Sequence, residues 1–292
     1  MKVAAAGLAL LAVLLAAGRG PAGGTTLAVA GEAQTVRFPS GDGKTSLIGY
    51  LFLPPGSGPH PALVLLHGRS GPYSSNAHGV YTAATLSGRH ASWAAFWVER
   101  GYVALLVDSF GPRGYPTGFP RNSYKARPAA VSEQTVRPLD AYGALTYLRT
   151  RPEVSAGHIG LQGWSNGAMT TLVTMSDAPP GLADPTPAKG FRAALALYPG
   201  CGIEALKRRY VPYAPVLMVL GSADDEVSPK TCERFADRVR AAGGALEVVV
   251  YEGAEHNFDD PGTTKQGREA NRRATEDART RTERFFAAQL QR

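Results

Sequence analysis

The sequence contains few cysteines and no internal repeat. Only Cys201 and Cys232 occur among the 292 residues, and neither stands in a CxxC pattern or beside a histidine. Protein zinc sites are usually built from closely spaced cysteines and histidines, so we expect no metal site. No motif indicates an organic cofactor, and no low-complexity linker interrupts the chain. We therefore predict a single domain over residues 31–292.

Charged residues make up only 19% of the chain, and they are not separated by sign. The formal net charge is +7, but basic and acidic residues are interspersed, as in REANRRATEDARTRTER near the C-terminus. This pattern is typical of the solvated face of a helix rather than of a phosphate-binding surface. We expect no nucleic-acid partner.

Long apolar runs are missing except at the N-terminus. After Lys2, the run VAAAGLALLAVLLAA has about the length of a signal-peptide core and is short for a bilayer span. We interpret residues 1–30 as an export signal, with possible cleavage after Ala30 or near Gly18; a retained membrane anchor is the alternative. The expected location is periplasmic or secreted, with no stable membrane span after cleavage.

Export bears on the two cysteines, because an oxidising compartment allows Cys201 and Cys232 to form a disulfide. In the chain-entropy model, closing a loop of roughly 30 residues stabilises the fold by about 3 to 4 kcal/mol. Two buried free thiols are the alternative.

Short apolar runs that end in turn signals alternate with longer amphipathic stretches. The continuous apolar character of the runs is typical of strands buried on both faces of a parallel sheet. We predict an α/β fold with a mostly parallel central sheet and helices on both faces. The predicted strands are 35–38, 45–54, 61–68, 101–108, 157–164, 191–200, 214–221 and 245–253, and the predicted helices are 90–100, 132–150, 166–177, 229–242 and 267–290.

A candidate nucleophile follows the fifth of these strands. Residues 163–167, GWSNG, have the form G-x-S-x-G, in which a sharp strand-to-helix turn holds a serine above the sheet. With 34 glycines in the chain the motif alone is weak, but here a strand precedes it and a helix follows it. Ser165 is therefore our candidate nucleophile.

A serine hydroxyl needs a base, and the base needs an orienting acid. In sheets of this type the chain order is Ser, then Asp or Glu, then His, and His256 is the only one of six histidines that follows Ser165. The acid is expected in the loop after the strand 214–221. We choose Asp224 there, with Asp225 as the alternative.

Acyl transfer also needs N–H donors for the oxyanion. The backbone N–H of Asn166, directly after the nucleophile, is one candidate, and that of Arg69 in the turn HGRSG is the other. We expect His67 to support this turn through hydrogen bonds rather than to act as a base.

Seven segments occur in an order that resembles the dienelactone hydrolase family of α/β-hydrolases: HGRSG, VDSFGPRG, RPLDAYGALTYL, GWSNG, YPGC, GSADDEVSP and YEGAEHNF. The resemblance extends from about residue 35 to the C-terminus. It implies an α/β-hydrolase fold and a Ser or Cys nucleophile, which Ser165 matches, with Asp224 and His256 completing the triad.

The sequence departs from the founding members of that family, which carry cysteine in G-x-C-x-G and act on an anionic lactone in the cytosol. This sequence has serine, Ser165, at the position of that cysteine, and export is expected. The resemblance therefore implies a secreted carboxylesterase. Cys201 and Cys232 resemble a recurrent cysteine pair of exported relatives, and a bond between them would brace the loop of Asp224.

The longest irregular stretch, residues 109–128, is a candidate lid or binding loop. Its side chains suit an acidic or aromatic acyl group, or else the loop is a solvated lid with its apolar side chains turned inward. Trp164 either lines the pocket or packs beneath it. The candidate substrate residues of the loop are Arg113, Tyr115, Phe119, Arg121 and Tyr124, alongside Lys125 and Arg127.

The sequence thus predicts a serine hydrolase that cleaves carboxylic esters or lactones through an acyl-enzyme intermediate, with a small-molecule ester as its substrate. A peptidase of the same fold would usually add a large gating domain. A secreted binding protein that lost activity would be expected to lose a triad member. The acyl group, the alcohol group and the oligomeric state stay open.

Overall fold

The computed structural model describes Met1, residues 33–207 and residues 209–291. Apart from Met1, the predicted export signal at residues 1–30 lies outside the described residues. The described part of the chain has no helix that is long and apolar enough to cross a membrane. The prediction of one domain over residues 31–292 stays a prediction.

One sheet of eight strands forms the centre of the structure. Each predicted strand is present, with ends shifted by a few residues. The strands are β1 Gln34–Pro39, β2 Ser46–Phe52, β3 His60–Leu66, β4 Val103–Asp108, β5 Val154–Trp164, β6 Ala194–Leu197, β7 Val216–Gly221 and β8 Leu246–Tyr251.

The strand order in the sheet is β1-β2-β4-β3-β5-β6-β7-β8. The pairs β1–β2 and β2–β4 are antiparallel, and the remaining pairs are parallel. The prediction of a mostly parallel sheet is therefore confirmed. Because β3, β5, β6, β7 and β8 run in the same direction, their carboxyl ends meet along one edge, where such sheets bind ligands.

Helices cover both faces of the sheet, as predicted. Alternate residues of β3 show the two layers: Val64 and Leu66 pack into one apolar core, and Leu63 and Leu65 pack into the other. The longer helices are α1 Gly88–Val98, α2 Arg137–Arg149, α3 Asn166–Thr174, α4 Pro229–Ala241 and α6 Glu269–Leu290.

Two helical details differ from the prediction. Helix α2 was expected from residue 132 but begins at Arg137, because Pro138 lies in its first turn, where the missing N–H of proline is tolerated. A short helix, α5 Thr263–Gln266, lies in the loop before α6 and was not predicted. Four residues are too few to show a helical period in a sequence.

Candidate active site

Ser165 occupies a sharp turn between β5 and α3. Its backbone has φ 52° and ψ −112°, in a region that residues other than glycine rarely adopt. The N–H of Ser165 donates to the carbonyl of Leu197 at the end of β6, across 2.9 Å. This turn places the serine at the carboxyl edge of the sheet, and such strained backbone positions are concentrated at functional sites.

The two glycines of GWSNG are required by close backbone contacts. A Cβ atom on Gly167 would lie 2.0 Å from the carbonyl oxygen of Leu66, and one on Gly163 would lie 2.3 Å from that of Gly167. Neither distance is sterically possible. The small residues on either side of Ser165 therefore allow α3 to start directly against β3.

His256 contacts both other members of the predicted triad. Its Nε2 lies 3.0 Å from the Oγ of Ser165, and its Nδ1 lies 2.7 Å from Oδ2 of Asp224. The ring of His256 is buried. Three loops, after β5, β7 and β8, thus bring a hydroxyl, a carboxylate and an imidazole into one hydrogen-bonded line.

Asp224, and not Asp225, is the acid that reaches His256. While Oδ2 of Asp224 faces the imidazole, its Oδ1 accepts hydrogen bonds from the backbone N–H groups of Glu226 and Val227, both at 2.9 Å. The side chain of Asp225 is 69% exposed and pairs with Arg121 at 3.1 Å. The loop therefore fixes the orientation of the Asp224 carboxylate and leaves the Asp225 carboxylate in solvent.

The turn after β3 lies beside Ser165. A Cβ atom on Gly68 would be 3.5 Å from the Cβ of Ser165, and Arg69, the next residue, lines the same cavities as Ser165. Within the described residues, the N–H groups of Arg69 and Asn166 donate to no other protein group. Both donors of the predicted oxyanion site are therefore available to a ligand.

The side chain of Arg69 ties this turn to the loop of Asp224. Its guanidinium donates two hydrogen bonds to Glu226, both at 3.2 Å. Glu226 was not singled out in the sequence, although its Oε2 lies 3.9 Å from Nε2 of His256. Arg69 and Glu226 are separated by 157 positions in the chain, so their contact leaves no local sequence signal.

His67 supports the same turn, as expected. Its Nδ1 donates to the carbonyl of Gly68 at 2.7 Å, and its Nε2 accepts from the N–H of Ser109 at 3.2 Å. Burial, and then the charge of Arg137, lower the pKa of His67 well below its ordinary value. Both ring nitrogens are occupied, so His67 is a neutral structural residue.

The sequence profile of the dienelactone hydrolase family matches residues 47–290. The chain belongs to the dienelactone hydrolase family. This membership makes it a carboxylic ester hydrolase within the α/β-hydrolase superfamily.

Solved structures of the same fold include a candidate dienelactone hydrolase and esterases. A candidate dienelactone hydrolase from Klebsiella pneumoniae subsp. pneumoniae MGH 78578 is 20% identical, with a TM-score of 0.68 over 87% of this chain and 98% of that chain. The propionate-bound esterase 2 of Thermogutta terrifontis is 20% identical, with a TM-score of 0.59 over 85% and 92%. An esterase of Pyrococcus furiosus is 15% identical, with a TM-score of 0.61 over 89% and 93%. These likenesses confirm the predicted fold.

The five candidate substrate residues in the loop 109–128 of this hydrolase differ in their positions and contacts. The side chain of Arg113 is buried and donates to Asp140 through two 2.8 Å hydrogen bonds and to Asp42 at 2.9 Å. The rings of Tyr115 and Phe119 pack on each other, with centroids 5.2 Å apart. Only Arg121 and Tyr124 among the five candidates line a cavity that reaches Ser165. Arg113 therefore anchors the loop.

A buried carboxylate, Asp259, forms a second hydrogen-bonding centre that the sequence analysis missed. Its Oδ2 accepts from the indole N–H groups of Trp93 at 2.8 Å and Trp164 at 2.9 Å, and its Oδ1 accepts from the hydroxyl of Tyr198 at 2.5 Å. Trp164 is fully buried, so it packs beneath the site rather than lining it. The doublet DD after the histidine was the only sequence signal.

The structure contains the disulfide between Cys201 and Cys232, whose Cα atoms are 5.0 Å apart. Cys201 follows β6, and Cys232 lies in the first turns of α4. The bond therefore braces the segment that directly follows the Asp224 loop, and the alternative of two free thiols does not describe this structure.

Two cavities of the hydrolase meet at Ser165. The first, of about 810 Å³, is lined by His256 and by polar residues such as Ser74, Asn76, Arg89 and Asp260; we call it the histidine-side cavity. The second, of about 480 Å³, is lined by Asn166, Tyr124, Met169, Ile203 and Val227, among others; we call it the asparagine-side cavity. Arg69 and Ser165 line both.

No cluster of three or more His, Cys, Asp or Glu side chains in the described ranges is arranged to hold a metal ion. The expectation that this hydrolase needs no metal or organic cofactor stays a prediction.

Proposed function

We propose that this chain is a serine carboxylesterase that cleaves esters or lactones through an acyl-enzyme intermediate. Ser165 is the nucleophile, His256 is the general base and then the general acid, and Asp224 orients the histidine. The observation that carries the proposal is the line of two hydrogen bonds, 3.0 Å from Ser165 to His256 and 2.7 Å from His256 to Asp224.

Asp224 acts by selecting one tautomer of His256. A carboxylate only accepts hydrogen bonds, so Nδ1 of His256 carries the proton and Nε2 presents its lone pair to Ser165. The same carboxylate stabilises the imidazolium that forms during the reaction. Because the other oxygen of Asp224 is held by two backbone N–H groups, its orientation is retained throughout.

In the first half-reaction, the proton of the Ser165 hydroxyl moves to Nε2 of His256 while Oγ attacks the carbonyl carbon. The negative charge that develops on the carbonyl oxygen is stabilised by the N–H groups of Arg69 and Asn166. The ester C–O bond then breaks, the leaving oxygen takes the proton from Nε2, and the acyl group remains on Ser165.

In the second half-reaction, His256 takes a proton from a water molecule, and the resulting hydroxide equivalent attacks the acyl carbon. The bond to Oγ breaks, Ser165 recovers its proton from Nε2, and the carboxylic acid leaves. The proposed chemistry uses only these side chains, backbone N–H groups and water.

The proposal also places the protein outside the cytosol, in the periplasm or the medium. It rests on the apolar N-terminal segment and on the disulfide, which oxidising compartments favour. A small-molecule ester is the proposed substrate.

The proposal is tested by hydrolysis of p-nitrophenyl esters and of a simple lactone by the mature chain, by Ser165→Ala and by the exposed control Ser57→Ala. We expect Ser165→Ala to lower kcat by about 10⁵-fold or more. The control variant should retain full activity. An organophosphate should add a mass to the wild type and not to Ser165→Ala.

Three outcomes contradict the proposal. Equal hydrolysis by the wild type and Ser165→Ala would mean that another group attacks the ester. Cleavage of peptides but not of esters would favour a peptidase of this fold. Binding of esters without turnover in the folded protein would favour a binding protein that lost activity.

A further inference from the structure

The two cavities at Ser165 differ in their relation to the histidine. The histidine-side cavity is lined by His256 and its neighbour Asn257, whereas the asparagine-side cavity is lined by Asn166 and Met169 from the start of α3. An ester bound at Ser165 extends in two directions from its carbonyl carbon. Each cavity can therefore hold one of the two parts of the substrate.

The direction of proton transfer indicates which cavity holds the alcohol part of the ester and which holds the acyl part. When the ester C–O bond breaks, the leaving oxygen must accept the proton held on Nε2 of His256, so this oxygen has to lie within hydrogen-bond reach of that atom. The carbonyl oxygen must meanwhile lie at the N–H groups of Arg69 and Asn166, so the acyl part is left with the other cavity. The alcohol part consequently enters the histidine-side cavity, and the acyl part enters the asparagine-side cavity.

The walls of the histidine-side cavity carry many polar side chains. Hydroxyl, amide and charged side chains line it, including those of Ser74, Asn76, Asn257, Asp260 and Thr264. An alkyl alcohol would displace water from these groups without replacing its hydrogen bonds, which costs binding free energy. A hydroxylated alcohol would replace them. The volume of about 810 Å³ is sufficient for a ligand of several rings.

Arg89 and Asp260 form an open pair at this cavity. The nearest approach of their charged groups is 3.6 Å, which is longer than a hydrogen bond. Nη1 of Arg89 is held by Asn257 at 2.6 Å and by Tyr198 at 3.1 Å, so the guanidinium is fixed. Oδ1 of Asp260 accepts from the N–H of Gly262 at 2.9 Å, which leaves Oδ2 beside the Arg89 guanidinium.

A fixed donor beside an available acceptor matches a hydroxyl group, which both accepts and donates a hydrogen bond. Neighbouring hydroxyls on one carbon skeleton can engage the guanidinium and the carboxylate at the same time. The asparagine-side cavity differs, because Met169, Ile203 and Val227 give it an apolar wall suited to an acyl chain.

We propose that the preferred substrates are acyl esters of polyhydroxylated alcohols, such as sugar-like polyols, and that Arg89 and Asp260 bind hydroxyls of the leaving alcohol. This inference rests on the proposed function, since it takes Ser165 and His256 as the reacting pair. It names the alcohol part of the substrate, which that function leaves open.

The test uses one acyl group on three alcohols: butyrate on the primary hydroxyl of methyl glucoside, hexyl butyrate and p-nitrophenyl butyrate. The value of kcat/KM is measured for the wild type and for Asp260→Asn, which keeps the oxygen bonded to Gly262 and removes the second acceptor. Asn76→Ala is a second variant at the same cavity. Asp237→Asn, an exposed residue of α4 paired with Arg240, is the matched control.

We expect the wild type to prefer the glucoside ester over hexyl butyrate by at least about tenfold, because a site built for a hydroxyl rejects an analogue that lacks it. Asp260→Asn should lower this ratio by about tenfold, Asn76→Ala should lower it less, and Asp237→Asn should leave it unchanged. A ratio near one in the wild type, or an equal loss on all three esters in folded Asp260→Asn, would overturn the inference.

The two proposals fail in different ways. If p-nitrophenyl butyrate is hydrolysed in a Ser165-dependent reaction but the glucoside ester is not preferred, the proposed function stands and the alcohol assignment is wrong. If the folded wild type hydrolyses none of the three esters, both are wrong.

Discussion

Trp164 donates its indole N–H to Asp259 across 2.9 Å, so the residue directly before Ser165 is tied to the loop that carries His256. The other oxygen of Asp259 accepts from Tyr198, whose ring lies 4.8 Å from the ring of His256. One buried carboxylate therefore holds a neighbour of the nucleophile and a neighbour of the base. We interpret Asp259 as a positioning residue, since it touches neither reacting atom.

For Asp259→Asn we expect kcat to fall by about tenfold or more, with KM changed by less than about threefold. The amide that replaces one oxygen is a donor, so it faces an N–H or O–H donor and moves Trp164 or Tyr198. Steady-state kinetics and thermal unfolding of this variant and of Asp237→Asn check the expectation. If kcat equals that of the wild type well below the unfolding midpoint, Asp259 supports only the fold.

Asp224→Asn should lower kcat by about 10⁴-fold, because an amide at this position stabilises the wrong tautomer of His256 and no longer balances the imidazolium. Asp225→Asn is the matched control in the same loop. Its side chain pairs with Arg121 at the surface, so we expect less than about a twofold change. Equal losses in the two variants would assign no specific role to Asp224.

The Cys201–Cys232 bond closes a sequence separation of 31 residues. In the chain-entropy model its removal costs about 3 to 4 kcal/mol of unfolding free energy. Urea unfolding of the oxidised chain and of the double variant Cys201→Ala with Cys232→Ala measures this loss, with the wild type under reductant as the control. Two thiols titrated in the unfolded, unreduced protein would show that the bond does not form.

His90 makes the stability depend on pH. Its Nδ1 donates to the carbonyl of Pro72 at 3.0 Å, and burial together with the charge of Arg89 lowers the pKa of His90 to about 3. The unfolded chain therefore binds a proton at this residue below its ordinary pKa of 6.5, while the folded chain does not. Its contribution is complete above pH 6.5 and is lost as the pH falls from 6.5 toward 3.

Between about pH 7.5 and about pH 5, this linkage lowers the unfolding free energy by about 2 kcal/mol. Urea unfolding at both pH values should show this extra loss in the wild type and not in His90→Gln. His67, whose pKa burial also lowers, remains in the variant and accounts for part of the residual slope. If the unfolding free energy falls equally with pH in both proteins, His90 is protonated in the folded state at pH values near 5.

Much of the candidate site was predictable from the sequence, because it depends on local patterns and on chain order. The glycines around Ser165 mark a turn in which a Cβ would meet backbone at 2.0 Å and 2.3 Å. His256 is the single histidine after that turn, and it lies 3.0 Å from Ser165. The charge of Arg113 made it a candidate substrate residue, but it anchors the loop through Asp42 and Asp140. These partners are distant in the sequence, so no local pattern indicated them.

The alternation of strands and helices, the mostly parallel sheet and the loops that approach each other at its edge follow from the amino-acid sequence alone. Strands that are buried on both faces must be apolar on both faces, so each of them is recognisable as a short continuous apolar run. The contact of Asp224 rather than Asp225 with His256, and the link that Asp259 makes between Trp164 and Tyr198, are visible only in the folded molecule. These choices depend on distances of a few ångströms between segments up to 95 residues apart, and no local pattern encodes such distances.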